Sequence, residues 1–118
     1  MSCQILLVED EPGARRNLAV FLHGASHNVH EAETGEMALG LISRMTFNAV
    51  ISDFRLPGRL NGIDVLRRQH ETSPGTRLIL ITGFGSQKVL SDAKAIGADY
   101  LEKPLLLTDL LSKIEPPS

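Results

Sequence analysis

Runs of Ile, Leu and Val recur along the chain at QILLV (4–8), AVIS (49–52) and RLILIT (77–82), each giving way to a polar residue. Near-continuous apolarity over so short a span marks strands buried on both faces. NVHEA (28–32) and ADYLE (98–102) are less apolar, but they fall where the order needs further strands, which makes five. The intervening segments carry helical spacing. GARRNLAVFLHG (13–24) puts Leu18, Phe21 and Leu22 on one face, with Pro12 near the first turn and Gly24 as a stop. TGEMALGLISRM (34–45) repeats Met37, Leu41 and Arg44 to Met45 at one helical turn, with Leu39 and Ile42 widening the stripe and Thr34 as a cap. Further helices are predicted over 62–71, over 86–97 with Gly97 closing it, and over 106–115. The Leu105 to Leu107 run reads as the inner face of the last helix and its lead-in. Strand and helix alternate throughout, which predicts a parallel sheet with right-handed crossovers and helices on both faces.

A length of 118 residues with 42% hydrophobic content suits one domain with its own core. Aromatic residues make up only 4% and Trp is absent, so that core is aliphatic. The net charge is -2 and the Lys and Arg residues are scattered, which argues against direct nucleic-acid binding by this segment. Cys3 stands alone, excludes an internal disulfide, and reads as a small strand residue. No apolar run approaches the about 20 residues of a membrane span, and the start lacks the form of a signal peptide. A reducing, cytoplasmic setting is the expectation. His23, His27, His30 and His70 form no i, i+4 arrangement suited to Zn²⁺ and read as solvent-facing.

Charge gathers where the strands end. The first ends in Glu9-Asp10-Glu11, the third in Asp53, the fourth in Thr82, and the fifth runs through Glu102 into Lys103-Pro104. In open α/β sheets, ligands bind beyond the carboxyl ends of the strands, so these residues would face one crevice. Carboxylates from Glu9, Asp10 and Asp53 in a partly desolvated crevice repel one another unless a cation is present. Mg²⁺, which takes oxygen ligands together with phosphate, is the simplest remedy. Lys103 adds a positive charge and Thr82 a hydroxyl, and the set suits a phosphoryl group. Asp53 has the chemistry of a nucleophile that forms an acyl phosphate. Plainer roles also fit these residues singly: helix capping for Glu9 to Glu11, an Asx-turn for Asp53, a surface turn at Lys103-Pro104, and packing for Tyr100. A flavodoxin would carry Ser, Thr and Gly after the first strand rather than carboxylates. A phosphatase with an aspartate nucleophile would carry a second acid where Arg55 stands.

Taken together, EDE after the first strand, DFRLPG after the third, TG after the fourth and KP after the fifth resemble the receiver domain of two-component response regulators. The resemblance covers essentially the whole chain, 1–115, with 116–118 as a tail or the start of a linker. It implies a flavodoxin-like, doubly wound, five-stranded parallel sheet of order 2-1-3-4-5. It also implies that Asp53 accepts phosphate from a histidine kinase or phosphotransfer protein, so that the chain is a signalling phosphoacceptor and not an enzyme beyond its own phosphotransfer and slow self-dephosphorylation. Asp10 and Asp53 match direct Mg²⁺ ligands, with the backbone carbonyl of Arg55 as a third, and Glu9 matches the acid that reaches the metal through water. Thr82 matches the switch hydroxyl, Lys103 the lysine that pairs with the phosphoryl oxygens, Tyr100 the aromatic that changes rotamer, and Pro104 a proline after a cis bond.

One departure is visible in PGRLNG, where Arg59 and Leu60 make the loop after the third strand longer and predict a different shape at the start of the third helix. Arg55 and Phe84 match positions flanking the route of attacking water, and their bulk predicts a slowly hydrolysed acyl phosphate. The resemblance implies a partner or dimer face on the fourth helix, fifth strand and fifth helix. The chain starts almost directly on the first strand, which favours a receiver at the beginning of its protein, either excised from an output domain or standing alone. The competing reading is a receiver-like binding module that docks without phosphorylation, and Mg²⁺ affinity separates the two.

Overall fold

The computed structural model describes residues 2–83 and 85–115. Phe84 and the tail at 116–118 therefore lie outside the described residues. Ten elements alternate along the chain: β1 (Gln4–Val8), α1 (Pro12–Gly24), β2 (Asn28–Ala32), α2 (Gly35–Arg44), β3 (Ala49–Asp53), α3 (Gly62–Thr72), β4 (Arg77–Thr82), α4 (Gln87–Ala95), β5 (Asp99–Glu102) and α5 (Leu107–Ile114). The strands form one parallel sheet in the order β2-β1-β3-β4-β5, the doubly wound flavodoxin-like arrangement. The chain reverses its direction of travel across the sheet between β1 and β3, and a crevice opens there at the carboxyl ends.

Alternation along each central strand divides the core into two layers. Leu6, Val8, Val50, Leu78 and Leu80 pack with α2, α3 and α4. Ile5, Leu7, Ala49, Ile51, Ile79 and Ile81 pack with α1 and α5. Both faces of β1, β3 and β4 are thus covered, which is why those strands read as unbroken apolar runs. Four of the helices begin on side-chain caps that satisfy otherwise unpaired amides. Glu11 accepts from Gly13 (3.0 Å) and Ala14 (2.6 Å), Thr34 from Met37 (3.1 Å), and Ser86 from Val89 (3.1 Å). Asn61 and Asp64 form a reciprocal capping box at 3.0 and 2.8 Å. Gly97, at φ +73, ends the turn after α4 in a conformation that favours glycine. Among the described residues, no helix is long and apolar enough to cross a membrane.

Three sequence expectations are corrected. On α2 the buried positions are Gly35, Ala38 and Ile42, while Met37 is 49% exposed and Leu39 and Leu41 are half-buried. Ile42 of the expected stripe is buried and Leu39, Leu41 and Met45 pack at the edge of the core, but Met37 points outward and the small Gly35 and Ala38 take the closest positions, so the stripe is centred nearer Ala38 than its hydrophobicity predicts. In the Leu105 to Leu107 run only Leu105 packs into the core, and Leu106 is 66% exposed. Leu106 occupies the extended position before α5, whose buried face is Leu110 and Ile114. His27 is not solvent-facing but buried. Its Nδ1 accepts from the Cys3 amide at 3.0 Å, leaving the proton on Nε2, which donates to Glu115 at 2.7 Å. Two satisfied ring nitrogens make that burial tolerable.

Candidate functional site

β3 delivers Asp53 to the crevice at the position that pairs with Ile81 of β4. The chain beyond it turns back tightly: the Phe54 amide still bonds to Ile81 (2.8 Å), and the Gly62 amide donates to the Phe54 carbonyl (2.8 Å). Gly62 lies so close that a Cβ there would collide with the Asp53 carbonyl and meet Leu80 Cδ1 at 2.9 Å. The second glycine of the loop is therefore a close-approach residue. The loop before it packs against α2, where Leu60 covers Gly35 and Gly58, at φ +89, runs beside the Glu36 carboxylate.

β1 supplies the other acids. Glu9 is nearly fully buried; its Oε2 accepts from the Glu11 amide at 3.2 Å and its Oε1 from Lys103 Nζ at 3.2 Å. Asp10 is exposed at the mouth. Carboxylate oxygens of Glu9, Asp10 and Asp53 all lie within 4.8 Å of one another. Glu11 instead caps α1, so the acidic triplet divides between two acids in the crevice and one helix cap.

Lys103 directly follows β5, its amide bonded to the Thr82 carbonyl at 2.9 Å, and the peptide bond after it, to Pro104, is cis. Its ammonium donates to Asp53 Oδ2 at 3.1 Å as well as to Glu9. Burial pulls the lysine pKa down most strongly, yet the hydrogen bond and charge of Asp53, followed by those of Glu9, outweigh it and leave the pKa raised. Burial raises the Glu9 carboxyl, the Glu11 amide lowers it, Asp53 raises it again, and Lys103 only partly offsets this, for a net rise. One ammonium thus bridges two carboxylates of a cluster of three. The donor set is all oxygen and acidic, which is what a hard divalent cation requires.

Asp53, Arg55, Thr82, Gly83 and Lys103 line a cleft of about 220 Å³. Thr82 is 2% exposed, and Arg55 is exposed at the rim. Tyr100 stands apart. It pairs with Leu80 on the adjoining strand, two residues before Glu102, the register partner of Thr82, and packs half-buried against the α3 and α4 side of the core. Burial, then the charge of Glu102, raises its phenol pKa. Sequence reasoning missed Arg15 of α1, which donates from Nη1 to the Glu9 carbonyl at 2.9 Å. An arginine in the first turn of an amphipathic helix gives no signal of such a contact.

The geometry has a wide kinship. The family model for the response regulator receiver domain matches residues 5–115. The response regulator receiver protein CpdR of Brucella abortus is 33% identical over 95% of this chain and 93% of its own. The transcriptional regulatory protein FixJ of Bradyrhizobium diazoefficiens is 30% identical over 94% of this chain, which spans 54% of FixJ. The crystal structure of a CheY-like response regulator receiver domain protein from Methanospirillum hungatei superposes with a TM-score of 0.90 at 30% identity, covering 97% of this chain and 91% of that one. With a match along nearly its whole length and the same fold, the chain belongs to the receiver domains of response regulators, the phosphoacceptor modules of two-component signal transduction.

Proposed function

We propose that Asp53 is the phosphoacceptor and that the crevice is built to transfer one phosphoryl group onto it. The observation that carries this is the bridging of Asp53 and Glu9 by Lys103 beside the exposed Asp10: a nucleophilic carboxylate, a fixed cation and a surplus of acidic oxygen at one strand end. A carboxylate oxygen of Asp53 attacks the phosphorus of a phosphohistidine on a histidine kinase or phosphotransfer protein. The P–N bond breaks, the histidine keeps the bond's electron pair, and an acyl phosphate forms on Asp53. Lys103 moves its ammonium from the free carboxylate to the equatorial oxygens. Catalysis here is positioning and electrostatics.

Asp10, Asp53 and the backbone carbonyl of Arg55 would hold Mg²⁺, with Glu9 reaching it through water. When bound, Mg²⁺ supplies positive charge that relieves carboxylate repulsion and neutralises the phosphoryl oxygens. Thr82 turns its hydroxyl toward the phosphoryl group, and Tyr100 follows into the vacated space. That change shifts a pre-existing two-state equilibrium and alters the face of α4, β5 and α5 that a partner, a second copy or an output domain reads. The work is done in the cytoplasm, where the kinase's phosphohistidine is. The domain acts on no substrate other than its phosphodonor and its own acyl phosphate, and it spans 1–115, with 116–118 as a tail or the start of a linker.

Intact-mass spectrometry after incubation with acetyl phosphate tests this, with and without Mg²⁺, on wild type and Asp53→Asn. The expected result is a Mg²⁺-dependent gain of one phosphoryl group that the variant lacks. No gain in any condition, together with no Mg²⁺ binding, would instead support a receiver-like module that docks without phosphorylation.

A further inference from the structure

Glu9 is held by its main chain as well as its carboxylate. The last paired residues of β1 and β2 are Val8 and Ala32, and the Glu9 amide extends that ladder by donating to the Ala32 carbonyl at 3.0 Å. The Glu9 carbonyl, beyond the end of the ladder, takes its donor from a side chain: Arg15 Nη1 at 2.9 Å. Arg15 is itself anchored. Its Nε donates to Glu31 Oε1 at 3.1 Å, its Nη2 lies 3.9 Å from Glu33 Oε1, and its side chain is only 14% exposed. Its own amide closes the first turn of α1 onto the Glu11 carbonyl at 2.9 Å. One guanidinium therefore joins the end of β2, the first turn of α1 and the backbone between the two site acids of β1.

The carbonyl of Glu9 and the amide of Asp10 belong to one planar peptide unit, so fixing the carbonyl fixes the direction in which the chain enters Asp10. Asp10 is exposed and its carboxylate has no hydrogen bond of its own among the described residues that would orient it. Its aim depends on the backbone. We infer that Arg15 is a positioning residue for the divalent-cation site: through the Glu9 carbonyl it sets the peptide plane that points Asp10 at Asp53, with Glu31 and Glu33 holding the guanidinium in place. This rests on the reading of Glu9, Asp10 and Asp53 as that site.

The sign of the effect distinguishes positioning from simple charge. A guanidinium close to a cation site repels the cation, so removing it by charge alone would tighten binding. Loss of a group that orients a ligand weakens it, typically by about 10-fold or more. Arg15→Met, Arg15→Lys and the control Arg16→Met would each be titrated with Mg²⁺ at constant ionic strength, following backbone amide resonances, with melting temperatures recorded in Mg²⁺-free buffer. Arg16 is 74% exposed and only 3.9 Å from Glu31, so its replacement should leave affinity unchanged. The expected result is about 10-fold weaker binding for Arg15→Met. Arg15→Lys, which keeps the charge but lacks the fork needed to span carbonyl and carboxylates, falls between it and wild type. Unchanged or tighter binding by Arg15→Met overturns the inference. If Arg15→Met does not fold, Arg15→Lys decides: weaker binding at an unaltered melting temperature supports the inference, and wild-type affinity overturns it. Absence of Mg²⁺ binding by wild type is a separate result that removes the site and the inference with it.

Discussion

The hydroxyl of Tyr100 occupies the space that a side chain on Gly85 would fill, and Glu102 Oε1 lies 3.4 Å from the same point. A glycine after β4 thus provides room for an aromatic on β5. Gly85→Ala would drive the phenol out, because the far end of a side chain yields more readily than backbone. Tyr100 is the sole tyrosine and Trp is absent, so the tyrosinate absorbance band reports this ring alone. Burial is the main cause of its raised phenol pKa, so displacement should bring the pKa down toward 10.0. An unaltered titration curve in Gly85→Ala would mean that the ring had not moved.

Gly62 makes a different demand, since the obstacle is the backbone carbonyl of Asp53 rather than a mobile side-chain tip. Gly62→Ala must shift β3, Leu80 or the start of α3. Overpacking of this kind costs about 1–3 kcal/mol. Urea unfolding should give a lower midpoint, and acetyl phosphate should label the variant more slowly than wild type because the displaced residue carries the proposed acceptor carboxylate. A wild-type midpoint and labelling rate together would show that the loop absorbs the methyl group.

Most of the fold was legible because three of its strands are buried on both faces, and a doubly covered sheet produces such short, β-branched apolar runs as RLILIT between helical segments. The chemistry of the crevice was legible for a related reason: charge at the tip of an apolar strand is conspicuous. What escaped was decided by packing across the sequence. Ala38 rather than Met37 faces the core of α2 because close helix-to-sheet approach rewards a small side chain. His27 is buried because Cys3 and Glu115, 24 and 88 residues away, supply its two partners. Arg15 reaches the site only through a backbone carbonyl, and no residue pattern encodes that.

Arg55 stands exposed at the rim of the cleft that Asp53 and Lys103 line. Water entering the cleft past that rim would meet the phosphoryl group proposed on Asp53. With Phe84, whose sequence position two residues after Thr82 mirrors that of Arg55 after Asp53, it should slow hydrolysis. Arg55→Ala with Phe84→Ala should therefore shorten the acyl-phosphate lifetime, followed as decay of the phosphorylated mass after removal of phosphodonor. An equal lifetime removes the shielding argument and leaves water access governed by other residues.

Glu9 and Glu11 make opposite predictions for acid. The Glu9 carboxyl is raised from 4.5, first by burial, so the stability linked to its protonation is fully present below 4.5 and is lost as pH rises through the folded value. Glu11 is lowered from 4.5 by the amides of Ala14 and Gly13, so its contribution is present above 4.5 and is lost as pH falls through the folded value. In Mg²⁺-free buffer at neutral pH, Glu9→Gln should melt above wild type and Glu11→Gln below it. Lowering the pH closes the first gap on the way down to 4.5 and the second only beneath it. Saturating Mg²⁺ should then reverse the order for Glu9 alone, because the carboxylate that costs stability in the free protein is the one the cation recovers. If Glu9→Gln melts below wild type without Mg²⁺, the bond to Lys103 outweighs the burial of the acid, and the crevice is held together by the ion pair rather than strained by its surplus charge.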